Sequence, residues 1–141
     1  MTVTFEKITT LPIEKTFEVL TDYDSFQNKL NNFFPSIRVI SVRPNTTLVE
    51  QHVRLAEREL VVMAKHITEK PTLHETLIVG GDIKGSHIIE KYEETQLGTK
   101  ISVTINIKIK GTKRLSGFFN KGRFENEFSK IYDQLILIAE S

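Results

Sequence analysis

The chain has no cysteine, which excludes thiol catalysis, thiolate zinc sites and disulfides and fits a reducing compartment. It has almost no net charge, +1 at pH 7, so nothing pulls the whole molecule toward nucleic acid. No apolar run is long enough to cross a bilayer, and no repeat, linker or low-complexity segment divides the chain. The opening MTVTFEKITT lacks the basic flank and apolar core of a secretory signal and alternates polar with apolar residues, as a strand does. The expectation is a cytoplasmic protein of one domain, residues 1–141, large enough to hold a core without metal or disulfide. A hydrophobic fraction of 39% and a charged fraction of 26% are those of a globular chain. Acidic residues are also missing locally, between Glu94 and Glu125, where Lys100, Lys108, Lys110, Lys113, Arg114, Lys121 and Arg123 fall. Either the lysines form the wet face of a strand, or Lys108, Lys110, Lys113 and Arg114 make a weak contact with an anionic membrane surface, at roughly 1 kcal/mol per charge.

What is present is alternation. TKISVTINIKIKG, Thr99 to Gly111, has an isoleucine or valine at every second position, which marks a strand of about twelve residues, roughly 40 Å, with one dry face. Such a length is about twice the usual, and either solid core or a cavity lies beneath it. Val3, Phe5 and Ile8 are candidates for the inward side of a first strand. PIEKTFEVLTD follows, with proline suited to a helix's first turn and Ile13, Phe17 and Leu20 on one face. A second short helix starts at Asp24, whose carboxylate can cap it, runs through Phe26, Leu30 and Phe33 and stops before Pro35. From Ser36 the pattern is strands broken by RPNTT, LAERE, EKPT, GGDIKG and TQLG, an antiparallel meander of six strands. After Gly111 the period changes, and Phe124, Phe128, Ile131, Leu135 and Ile138 form the dry stripe of one long helix over roughly Leu115 to Glu140.

In this order of elements, PIEKTFEVLTDYDSF, GDIKGSHIIEKYEE, GTKISVTINIKIKG and NKGRFENEFSKIYDQLILIAE resemble the START-like (SRPBCC) superfamily, and within it the polyketide cyclase and coenzyme Q-binding branch. The resemblance covers essentially the whole chain. It implies an α+β helix-grip fold, in which a curved seven-stranded antiparallel sheet wraps a long C-terminal helix, with two short helices after the first strand. It also implies an apolar cavity between sheet and helix, of the kind the superfamily uses for lipids, sterols, quinones, hormones and polyketides. No catalytic signature of the superfamily is carried by these residues, and no cofactor is implied.

Candidate site residues follow from the hairpins. If TQLG pairs Thr95 with Gly98, then Tyr92, Glu90, Ile88 and Ser86 lie opposite Ile101, Val103, Ile105 and Ile107, and Glu90 is a buried carboxylate. A slip of one residue puts Glu90 in water and His87 and Ile89 inside. The GGDIKG turn places either His74 or Glu75 beside Glu90, and a histidine–carboxylate pair in a cavity is a proton-transfer candidate. His52, His66, His74 and His87 come from four strands, and their spacing promises no convergent metal site. GGDIKGS superficially resembles a phosphate loop but precedes no helix, so it is a hairpin turn that Asp82 is expected to stabilise through its own backbone bonds. Phe118 and Phe119, between Gly117 and Gly122, are either ordinary core or, with Phe33 and Phe34, an aromatic gate. The expected function is binding or transport of a small hydrophobic ligand, with polar specificity from Glu90, Tyr92, His74 and Gln51 and a lining of Phe33, Met63, Ile88, Val103, Ile105, Ile107, Phe124 and Phe128. The alternatives are a cyclase or dehydratase using Glu90 with His74, and an adaptor for a macromolecular partner.

Overall fold

The computed structural model describes residues 1–109 and 120–141. Strand β1 (Thr2–Thr9) leads into helix α1 (Ile13–Leu20), a 3-10 turn at Tyr23–Ser25 and a short helix α2 (Phe26–Lys29). The strands β2 (Ser36–Arg43), β3 (Thr46–Leu55), β4 (Arg58–Glu69), β5 (Leu73–Gly81), β6 (His87–Thr95) and β7 (Gly98–Asn106) follow, and helix α3 (Lys121–Glu140) ends the chain. The seven strands form one sheet in the order β1-β7-β6-β5-β4-β3-β2, so consecutive hairpins build the meander and β1 closes onto the last strand. Thr2 pairs with Asn106 and Thr9 with Thr99. Irregularities between Val39 and Ser41 and between Met63 and Ala64 bend the sheet, as inserted residues do, and α3 lies across the concave side against β1 and α1.

The alternation sets the inward face as expected, with Ile101, Val103, Ile105 and Ile107 all buried. The long strand is shorter than its pattern, since β7 ends at Asn106. Beyond it Ile107 N–H still donates to Met1 O, so the segment follows β1 without continuing the ladder. Gly98 permits the close approach of β7 to the end of β1, because a Cβ there would stand 2.1 Å from Thr9 O. The hairpin pairs Thr95 with Gly98 and Glu90 with Val103, which is the register that buries Glu90.

Three local expectations are corrected. Ile8 is 68% exposed, because parity from Val3 and Phe5 puts Lys7 and Thr9 inward instead; Lys7 Nζ meets Ser129 Oγ at 2.6 Å and Asp133 Oδ1 at 2.7 Å on α3. The second short helix starts at Phe26 and ends at Lys29 with no side-chain cap, so Asp24 lies in the preceding 3-10 turn and Phe33 lies beyond the helix. Helix α3 begins at Lys121, because Asn120 is extended and its Oδ1 accepts from Arg123 N–H at 2.8 Å. Leu115, Phe118 and Phe119 lie outside the described residues, as do Lys110, Lys113 and Arg114.

Candidate functional site

The inward rows of the middle strands carry polar side chains in an otherwise apolar interior. His74 of β5 stands opposite Glu90 of β6, and its Nδ1 donates to Glu90 Oε1 at 2.6 Å with the two side chains 3% and 6% exposed. Tyr92, two residues along β6 and therefore on the same face, donates to the same oxygen at 2.6 Å. Tyr132 of α3 donates to Oε2. One carboxylate thus gathers donors from both strands and the long helix.

His74 carries the network onward. Its Nε2 is 2.9 Å from His66 Nδ1 and 3.1 Å from the Tyr23 hydroxyl. Thr76 Oγ1 is 3.1 Å from His66 Nδ1, and His66 Nε2 faces Gln51 Oε1 at 2.6 Å. Tyr23 stacks on His66 with ring centroids 4.0 Å apart, and His66 on His74 at 5.1 Å. The directions of these bonds assign the protons. With the Gln51 amide oriented oxygen-first, His66 donates from Nε2 and, as a neutral ring, accepts at Nδ1. His74 donates from Nδ1 to the Glu90 carboxylate.

The electrostatics agree with that assignment. Burial pushes the Glu90 carboxyl upward, but the charge on His74 and hydrogen bonds from His74, Tyr132 and Tyr92 outweigh it and hold the group below 4.5. Burial, and then the charge on His74, hold His66 well below 6.5 and keep it neutral. Burial and the nearby Glu90 charge raise Tyr23, Tyr92 and Tyr132, so all three keep their protons.

This polar cluster lies on the wall of an internal cavity of about 90 Å³ between the sheet and α3. The rest of the wall is apolar, including Leu20, Phe34, Leu55, Leu60, Val62, Ile78, Ile131 and Leu135. Ile83 contributes in an unexpected way. It has φ 51° in the GGDIKG turn, a conformation costing a β-branched residue roughly 1–2 kcal/mol, and its side chain is 7% exposed on the cavity wall. Burying an isoleucine stabilises by about 1.5–3 kcal/mol, enough to offset the strain. Asp82 beside it reaches across the turn, its Oδ2 accepting from Val61 N–H of β4 at 3.0 Å.

Of the residues singled out in the sequence, Gln51, His74, Ile88, Glu90, Ile105, Ile107 and Phe128 line the cavity. Tyr92, Val103 and Phe124 are buried but stand off its wall, Tyr92 through its bond to Glu90. Met63 is corrected to the outer face of β4, because Val62 and Ala64 on either side of it point inward. Phe33 is only half-buried and does not reach the cavity, whereas its neighbour Phe34 does. Lys108 is exposed, and its N–H donates to Ser86 Oγ. His66, Thr76, Tyr23 and Tyr132 were not foreseen as parts of the site. Tyr132 had a signal, since it follows Phe128 by one helical turn, and so did His66, which shares the parity of Val62 and Ala64; Tyr23 had none. Among the described residues no group of three His, Cys, Asp or Glu is arranged to hold a metal, and no helix is long and apolar enough to cross a membrane.

No family model matches this chain, and no curated protein matches it. Solved structures of similar length match it nearly end to end. The protein TTHA0849 from Thermus thermophilus is 13% identical with a TM-score of 0.78, over 100% of each chain. Ara h 8.0201 is 15% identical with a TM-score of 0.74, over 99% of this chain and 97% of its own. The Zhui aromatase/cyclase from a Streptomyces species is 13% identical with a TM-score of 0.72, over 99% of this chain and 93% of its own. The likeness is one of architecture, and with the elements described above it shows that this chain has the helix-grip α+β fold.

Proposed function

We propose that the protein binds a small hydrophobic ligand in the cavity between the sheet and α3. The observation that carries this reading is an internal space walled mainly by aliphatic and phenylalanine side chains, with Gln51, His66, His74, Thr76, Glu90 and Tyr132 joined in one hydrogen-bonded network on its wall, the usual make-up of a ligand pocket. Lipids, quinones, isoprenoids and polyketide-like molecules are the ligand classes that suit such a wall. Size narrows them. At about 90 Å³ the cavity is smaller than the ~150 Å³ apolar cavity that admits benzene, so a compact ring fits with small displacements and a long chain fits only after a larger rearrangement of the walls. Gln51, Ile88, Glu90, Ile105, Ile107 and Phe128 are the proposed ligand-side residues.

Native mass spectrometry of the purified protein, with organic extraction of whatever is released, tests the reading. Ile105→Trp, which fills the cavity, is expected to abolish binding while the circular dichroism spectrum persists. Undiminished binding by that variant would place the site elsewhere.

A second reading is favoured by one distance, the 2.6 Å between His74 Nδ1 and Glu90 Oε1 on the cavity wall. A histidine held by a carboxylate in an apolar space forms with it a proton-transfer pair. Cyclase- or dehydratase-like proton transfer would use His74 as the acid and Glu90 to orient it, and a fold shared with an aromatase/cyclase is consistent with this. Turnover of a polyketide-like diketone that disappears in His74→Gln would favour catalysis; extraction of an unaltered ligand with no turnover would favour binding alone.

A further inference from the structure

Resting on the ligand-binding reading, the unspent hydrogen-bonding capacity of the cavity specifies the polar group its ligand must bring. The acceptors on the wall are already engaged. Glu90 Oε1 receives His74 and Tyr92, Glu90 Oε2 receives Tyr132, His66 Nδ1 lies between His74 Nε2 and Thr76 Oγ1, and Gln51 Oε1 receives His66. What is left over lies on the donor side. The Gln51 amide nitrogen, with two N–H groups, has no partner among the described residues, although Gln51 is only 8% exposed and lines the cavity. The fully enclosed side-chain polar atom without a partner among the described residues is His87 Nε2, not Gln51 Nε2. The Gln51 amide nitrogen therefore opens onto accessible space, and the space that Gln51 lines is the cavity. Ser86, 3% exposed and also on the wall, accepts from Lys108 N–H and has no acceptor for its own hydroxyl proton among the described residues.

We infer that the cavity selects ligands carrying a neutral hydrogen-bond acceptor, a ketone, quinone or amide carbonyl, whose oxygen accepts from the Gln51 amide while the apolar remainder lies among the aliphatic side chains. Neutrality follows from the cluster itself. The Glu90 carboxylate is already bonded by His74, Tyr92 and Tyr132, and among the described residues no lysine, arginine or aspartate lines the cavity, so a ligand anion or cation entering this space finds no free counter-charge. A ligand offering only a donor finds the Glu90 carboxylate, the strongest acceptor, already occupied. A hydrocarbon leaves the Gln51 amide unmet, which is the situation in which polar sites discriminate most strongly.

Two matched probe pairs test this: cyclopentanone against methylenecyclopentane, and 1-tetralone against its exocyclic methylene analogue, which differ by carbonyl oxygen versus CH₂ at nearly constant shape. Titrations followed by NMR are expected to show the ketone of each pair binding about tenfold more tightly, the discrimination of one good hydrogen bond. The Gln51 side-chain amide resonance, assigned by its loss in Gln51→Met, is expected to shift with the ketones and not with the hydrocarbons. In Gln51→Met the ketone preference is expected to vanish; should that variant fail to fold, the wild-type comparison of ketone with hydrocarbon decides alone. Equal binding of ketone and methylene partners would overturn the ligand class and leave the binding cavity standing. No binding by either pair would overturn both.

Discussion

Strands β5 and β6 hold two histidine–glutamate pairs, and these face opposite ways. His74 and Glu90 meet at 2.6 Å on the inner face with side chains 3% and 6% exposed, whereas Glu75 and His87 stand 3.5 Å apart on the outer face at 30% and 33%. The residue types are the same and the strands are the same. One step along the pleat decides whether the pair is dry and closely hydrogen-bonded or half-exposed and loosely placed. Desolvation strengthens the inner attraction and makes each partner costly to remove alone, while solvent leaves the outer pair worth little.

That contrast can be broken by substitution. Glu90→Gln is expected to destabilise the protein by about 3–5 kcal/mol, because His74, Tyr92 and Tyr132 lose the buried carboxylate that all three bond; urea denaturation measures it, and a loss no larger than at Glu75 would abolish the contrast. Tyr132→Phe, which takes one donor from Glu90 and keeps the ring, is expected to cost about 1–3 kcal/mol in the same assay.

Acid should sharpen the comparison next. His66 is held neutral well below 6.5, so as pH falls through 6.5 the unfolded chain gains a proton that the folded chain refuses, and stability declines by up to about 1.4 kcal/mol per pH unit. Glu90, held below 4.5, adds to the decline at lower pH, since the unfolded carboxylate protonates first. The contribution of these two groups is therefore complete above about pH 6.5, and His66→Gln is expected to flatten the slope between pH 6.5 and 5 in denaturation curves recorded across that range. Glu75→Gln should change stability least, within about 0.5 kcal/mol.

The inward position of Glu90 was legible in the sequence because TQLG is a short turn and the flanking alternation is unbroken, so one assumed pair, Thr95 with Gly98, fixed the whole hairpin. His74 beside Glu90 was one of two options that the turn length left open. Met63 was misplaced because VVMA is apolar on both parities, and a run without alternation does not announce its face. The meeting of His66 with His74 is a diagonal contact across the β4–β5 hairpin, where His66 pairs with Thr76 and Thr68 with His74, a register that single-strand patterns do not contain. Tyr23 reaches the cluster from a 3-10 turn, where no periodicity points. The meander and the dry stripe of α3 were readable for the opposite reason, each being a repeat within one segment.

The pairing of β1 with β7 has a consequence during synthesis. Thr2 through Thr9 find their ladder partners in residues 99–106, so the first strand made waits for the last. At about 5–20 residues per second, β1 spends on the order of ten seconds without its partner. Throughout that interval its backbone is an open template for another chain. Glu6 and Lys7 lie within the waiting strand, and charges at such positions discourage pairing with the wrong neighbour. Lys7, whose ammonium later meets Ser129 and Asp133 of α3, thus guards the nascent edge before it clamps the finished one.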